Sequence, residues 1–210
     1  MELQAYAAGQ NFVAGKHIVA YDGGGGVLTD YTIPGNVPNG ANQATILIAN
    51  AASVNGVTPD FVAGNGGTGP GNLNVDNTGG TVCYTDSAIT APLDCVAFQG
   101  LAPITVPFGT AQFGTPFQLP GANLNGQSLI RTIARGCATA LDTADDTNTP
   151  ADFSLGAGSP RNNSAAPTET QCPATTTTTT SKKCTKKHKK KSGAYSAKKH
   201  KKCKKKKKKH

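Results

Sequence analysis

The charge of this 210-residue chain is split between two regions: all 12 acidic residues lie before position 182, where only Lys16, Arg131, Arg135 and Arg161 are cationic. The body is therefore formally −8 and the last stretch +17, which marks a tail that meets something polyanionic and disfavours a folded groove that grips phosphates. No run of about 18 apolar residues occurs, so no helix is expected to span a membrane.

The chain before the Thr-rich stretch is long enough for one domain that buries ~70% of its unfolded surface. Trp is absent, Met occurs once, and 25 Gly and 13 Pro punctuate the sequence, a pattern of short strands joined by turns. "ELQAY" (2–6) alternates, and "HIVAYD" (17–22) runs into the Gly-rich turn 23–26. "VLTDYTI" (27–33) places Val27, Thr29, Tyr31 and Ile33 on one face. After the turn region 34–42, "ATILIA" (44–49) is apolar on both faces and reads as a central strand. "DFVAG" (60–64) reads as a further strand, and "TVCYT" (81–85) with "LDCVAFQ" (93–99) as a hairpin. Residues 100–127 are rich in Gly, Pro and Phe and read as a long ordered loop. In "SLIRTIARGCATALDTADD" (128–146), Leu129, Ile130, Ile133, Ala134, Cys137 and Leu141 recur at helical spacing, although Gly136 costs such a helix about 1 kcal/mol.

Past Cys172 the composition collapses to "PATTTTTTS" (173–181), a linker, and then to lysines whose mutual repulsion predicts a disordered tail. The expected organisation is a domain over 1–165, a Thr/Pro-rich linker over 166–181 and the poly-Lys tail over 182–210.

At 148–164, "NTPADFSLGAGSPRNNS", an acidic, Asn-rich lead, then "ADF", then a Pro and an Asn resemble the closing signature of the lamin tail domain family. "ELQAY" followed by "GKHIVAYDGGGGVLTDYTIP" resembles that family's early strands, "GGTVCY" and "LDCVAFQG" its central hairpin, and "QSLIR" (127–131) its late S-L-x-R strand. The resemblance covers residues 2–164 and is carried by the order of the pieces. It implies an all-β chain with an immunoglobulin-like β-sandwich of lamin tail domain type. It also implies a non-catalytic module that in bacteria belongs to secreted or surface proteins. It makes 128–133 a strand and 134–152 an irregular loop, and that reading is preferred over the helix. Its first strand begins upstream of where "MELQAY" starts. The expectation is that the start was placed late, with a signal peptide and half a strand preceding it, and an in-frame stop immediately before Met1 refutes this. "MELQAYAAGQNF" itself has neither a basic n-region nor an apolar h-region.

Six cysteines suggest an oxidising, extracellular or cell-surface setting and allow 15 pairings. Cross-strand pairing of the proposed hairpin brings Cys83 and Cys95 within disulfide range, for about 3 kcal/mol. A Cys137–Cys172 bridge ties down the C-terminal stretch for roughly 4 kcal/mol. Cys184 and Cys203 flank most of the tail and pair together or with other chains. The alternative is six free thiols in a cytoplasmic protein.

Other motifs weaken on inspection. Cys184–His188 and His200–Cys203 have ligand-like spacing, but lysines surround them and no apolar residue packs a zinc finger. "GNGGTG" (64–69) matches G-x-G-x-x-G, yet Pro70-Gly71-Asn72 follows where a helix must begin. "GGGG" (23–26) lacks the Lys-Ser/Thr of a phosphate loop. Asp142, Asp145, Asp146, Asn148 and Asp152 form an acidic loop where weak Ca²⁺ binding is conceivable, but their spacing is not that of an EF-hand. His17, the one histidine of the body, falls on a strand, and no nucleophile matches it; no catalytic residue and no cofactor is expected.

The candidate polyanion-binding residues are Lys182, Lys183, Lys186, Lys187, Lys189, Lys190, Lys191, Lys198, Lys199, Lys201, Lys202, Lys204, Lys205, Lys206, Lys207, Lys208 and Lys209. Their attraction is blind to sequence and fades with salt. Tyr195 is the tail's one aromatic, against a dedicated single-strand binder. Two readings follow. One is an extracellular structural or interaction module tethered to anionic envelope polymers or lipids, its sandwich meeting a protein or glycan. The other is an intracellular nucleic-acid-binding protein that uses the same lysines.

Overall fold

The computed structural model describes residues 1–64, 71–86, 92–109, 114–170 and 172. Their architecture is nearly all β, with ten strands in three sheets. β1 (Glu2–Gln4), β4 (Thr45–Ala49) and β5 (Phe61–Val62) form a three-stranded sheet in the order β1-β4-β5. Five strands lie in the order β3-β2-β6-β7-β8: β2 (His17–Tyr21), β3 (Val27–Thr32), β6 (Gly79–Thr85), β7 (Pro92–Gln99) and β8 (Phe117–Gln118). β9 (Ser128–Arg131) and β10 (Phe153–Gly156) pair antiparallel as a two-stranded ladder. β4–β5 and β7–β8 are parallel and the remaining pairs antiparallel.

The core sits between the first two sheets. Ile18 and Ala20 of β2, Tyr31 of β3 and Val82 of β6 pack with Ile46 and Ile48 of β4, and Leu3 and Phe61 close in at the margin. This is the two-layer arrangement of a β-sandwich. β4 is buried along its whole length, as its unbroken apolar run requires of a strand covered on both faces. β3 alternates as its sequence does: Thr29, Tyr31 and the following Ile33 are buried, while Val27 at the start of the strand is exposed. On the outer face of the larger sheet, Val19, Tyr21, Cys83 and Cys95 form a second cluster, with the Phe108 ring edge-on to Tyr21.

The hairpin of 81–85 and 93–99 is present as β6 and β7, with Cys83 directly opposite Cys95. The stretch 100–127 contains β8, which joins the edge of the large sheet beside β7. Residues 128–131 form a strand, not a helix. Gly136 takes φ +59°, a left-handed conformation that ends any right-handed helix there. That turn aims the Cys137 N–H at Asp142 Oδ2, 2.7 Å away. Between β9 and β10 the chain is irregular apart from two 3₁₀ turns, Thr143–Asp145 and Pro150–Asp152. β10 itself was not anticipated; "FSLG" is too short to show a period.

Beyond β10 a strap, 157–170 with Cys172, runs back along the three-stranded sheet. Asn163 is buried there; its side chain accepts from Asn39 N at 2.7 Å and donates to Asn39 O and Thr45 O, each at 3.0 Å. The part of the strap that composition reads as linker is also held. Glu169 bonds Arg161 and Gln4, and Thr139 Oγ1 donates to Thr170 O. The poly-Lys tail, the Cys184 and Cys203 pairing, the zinc-like spacings and all but Gly64 of the match at 64–69 fall outside the described residues.

Candidate functional site

Each of the four body cations is spent on a body carboxylate. Lys16 Nζ meets Asp86 at 2.6 Å, and Arg135 Nη1 meets the buried Asp152 at 2.6 Å. Arg131 bonds Asp94 at 2.7 Å, lies 3.5 Å from Asp146 and stacks 4.7 Å over the Phe153 ring. Arg161 bridges Glu2 at 3.4 Å and Glu169 at 2.8 Å. The exposed pairs add little stability. Their consequence is electrostatic: none of these cations stands apart as a phosphate contact.

The acidic loop is a knot of internal hydrogen bonds. Asp145, fully buried, accepts from the N–H groups of Ala134, Arg135 and Asp142 at 2.9–3.0 Å. Burial alone would raise its pKa, but those amides and the Arg135 charge outweigh it and hold the carboxyl below its ordinary range. Asp152 accepts from Thr147 N, Thr147 Oγ1, Thr149 N and Arg135. Burial pushes it up, and those donors bring it down to about 2. Asp142 caps the first 3₁₀ turn through Ala144 N and holds Cys137 N with its other oxygen. Donor hydrogens thus occupy the oxygens of Asp142, Asp145 and Asp152, three of the five residues Asp142, Asp145, Asp146, Asn148 and Asp152 that the sequence offers to a cation. Among the described residues no group of three His, Cys, Asp or Glu side chains is placed to share a metal ion.

His17 Nδ1 lies 2.6 Å from Asp30 Oδ1 and 3.5 Å from Thr32 Oγ1. Both partners address one ring nitrogen. A relay from carboxylate through imidazole to hydroxyl needs the hydroxyl on the other, so this trio is not a nucleophile triad.

Two disulfides cross-link the body. Cys83–Cys95 ties β6 to β7 on the outer face, and Cys137–Cys172 fastens the strap to the loop after β9. Sequence reasoning missed Asn163, Gln43 and the ion pairs, because each joins residues far apart in the chain. Gln43, 1% exposed at φ +67°, accepts from Leu141 N at 2.8 Å and donates to Leu141 O at 2.9 Å. Its amide thereby reproduces a strand pairing between the loop before β4 and the loop after β9.

A cleft of about 1600 Å³ is bordered by β1, β9 and the inner faces of β6 and β7. Leu3, Tyr84, Val96 and Leu129 line it and are only half-buried. Burial among these groups, with the Asp86 charge adding to it, pushes the Tyr84 hydroxyl up to about 12, so the phenol stays neutral. Among the described residues no helix is long and apolar enough to cross a membrane. The chain matches no family model, no curated protein and no solved structure.

Proposed function

We propose that this chain is a non-catalytic extracellular module of the lamin tail domain kind. Its immunoglobulin-like sandwich provides the structural or binding surface, and its C-terminal lysines hold it to an anionic cell envelope. The observation that carries this reading is the pairing of Lys16, Arg131, Arg135 and Arg161 with body carboxylates. Attraction to polyanions is thereby left to the 17 tail lysines, on a body whose formal charge is −8. Two disulfides in one body fit an oxidising compartment.

Fractionation of the source cells with a graded salt wash tests this. The protein is expected in the envelope fraction and to elute as salt rises, because attachment by lysines alone is screened. A cytosolic protein with six reactive thiols and co-purifying nucleic acid would establish the intracellular nucleic-acid reading instead.

A further inference from the structure

Apolar surface that stays exposed gathers around one concavity. Of the ten large apolar side chains exposed among the described residues, Met1, Tyr6, Phe12, Val75, Leu93 and Ile130 border the cleft beside β1 and β9. Exposed apolar groups scattered singly mean little, but a set gathered around a concavity marks a binding surface. Within it lie the half-buried Leu3, Tyr84, Val96 and Leu129. At about 1600 Å³ the cleft exceeds the roughly 300–1000 Å³ of small-molecule sites. Charge stands around this apolar lining in two trios, each of two carboxylates that share one guanidinium. Arg131 lies 2.7 Å from Asp94 and 3.5 Å from Asp146, and Arg161 lies 3.4 Å from Glu2 and 2.8 Å from Glu169. All six residues border the cleft, so each trio brings one more carboxylate than it has cations. Lys16 and Asp142, also on the border, cancel in formal charge. One guanidinium does not satisfy both of its partners at Arg131: burial, and then the Asp146 charge, hold Asp94 above the ordinary carboxylate range.

We propose that this cleft binds a cationic amphipathic segment of another polypeptide. Its apolar side chains rest on Tyr84, Val96 and Leu129, and its Lys or Arg side chains meet the two carboxylate trios. Charge complementarity selects this occupant. An anionic ligand is repelled by the carboxylate excess at both trios, and a second copy brings a body of formal charge −8 against one of the same sign. The chain's own stretch 182–210 supplies cations but holds no Val, Leu, Ile, Met or Phe for the lining. A partner cation beside Asp94 or Glu2 pairs the carboxylate that the shared arginine leaves in excess, and such contacts speed encounter and fix register. The apolar contacts supply the burial that surface charges alone do not. The partner class deepens the surface-module reading and rests on it for the place where the two meet. Binding by the purified protein is measured apart from cell fractionation, so either can fail alone.

The test titrates the full chain with three fluorescent peptides of about ten residues, the length of a long strand, and reads anisotropy. One alternates Leu and Lys, one Leu and Glu, and one Ser and Lys. Physiological salt confines charge effects to about 8 Å, so the chain's own lysines do not dominate the reading. The Leu–Lys peptide is expected to bind about tenfold or more tightly than either control. Leu93→Ser with Ile130→Ser changes two exposed side chains and should leave the fold intact while weakening that binding about fivefold. Asp94→Asn, which leaves Arg131 with Asp146, should weaken it about threefold and lessen its dependence on salt. Equal binding of the Ser–Lys peptide reduces the effect to attraction between a polycation and an acidic body and overturns the proposal. So does equal binding of the Leu–Glu peptide, which removes the charge selection. Binding that the Leu93 and Ile130 changes leave untouched places the contact elsewhere and overturns it, as does no binding of the Leu–Lys peptide at all.

Discussion

Asn163 lets the placement of the strap be tested at one side chain. Its amide makes three hydrogen bonds, all to backbone: it accepts from Asn39 N and donates to Asn39 O and Thr45 O. The residue is 2% exposed, so water cannot replace them without rearrangement. Asn163→Ala strands three backbone groups at about 1 kcal/mol each, or about 3 kcal/mol in all. For a domain of this size that lowers Tm by about 6–12 °C. Asn163→Asp sharpens the test. It sets a carboxylate oxygen against two carbonyl oxygens, and the native state then favours the protonated acid. A native pKa raised above the unfolded ~3.9 penalises folding once the unfolded carboxyl ionises. Asn163→Asp should therefore unfold below Asn163→Ala at pH 7 and approach it below about pH 4. Thermal melts of the three proteins by circular dichroism at both pH values read this directly. If Asn163→Ala melts within about 0.5 kcal/mol of the parent, or if Asn163→Asp is neutral at pH 7, the strap is not seated on β4 as described.

Two further outcomes follow from the same body. Burial would raise Glu169, but the hydrogen bonds from Arg161 and Gln4 and the Arg161 charge bring it down to about 2, as the donors around Asp152 do there. Folded pKa values below the unfolded ones add stability above about pH 4 that is lost as pH falls toward 2. The loss is about 2 kcal/mol for Asp152 and about 3 kcal/mol for Glu169. Urea unfolding from pH 6 to pH 2 should show it, Glu169→Gln should remove part of the slope, and a flat profile contradicts the pairing. Replacing Cys83 and Cys95 by Ala should cost about 3 kcal/mol, and replacing Cys137 and Cys172 roughly 4 kcal/mol. Alkylation of the unreduced protein that labels any of these four cysteines contradicts the cross-links.

What could be read from the sequence divides along a physical line. Features carried by period were legible: the all-apolar β4, the alternation of Thr29, Tyr31 and Ile33, and the hairpin that sets Cys83 opposite Cys95. The 128–146 stretch shows period misleading. Its apolar spacing is helical, but Gly136 at positive φ and the demand of Asp142 and Asp145 for backbone N–H donors give a capped loop. The acidic cluster was visible as spacing, yet the direction of each carboxylate was not, and direction separates a loop lock from a cation site. Contacts such as Arg131–Asp94, Gln43–Leu141 and Asn163–Asn39 depend on which distant segments the fold brings together. A single sequence holds no periodic trace of them.

The opposed charges of body and tail also constrain the chain between them. A polyanionic surface that attracts the lysines repels a body of formal charge −8. At physiological salt that repulsion fades over about 8 Å, and in dilute buffer over about 30 Å. The nine residues 173–181 span at most about 30 Å, enough to hold the body clear in the first case and only marginally in the second. Deleting Thr175–Thr180 draws body and surface together. Retention on immobilised polyphosphate should fall for the shortened chain in dilute buffer, while the two chains converge near physiological salt. A chain ending at Cys172 should not be retained at either. If the shortened chain binds as tightly as the parent in dilute buffer, body and tail do not oppose each other at the surface. If the chain ending at Cys172 is retained, the paired cations of the body are not the closed set that their geometry implies.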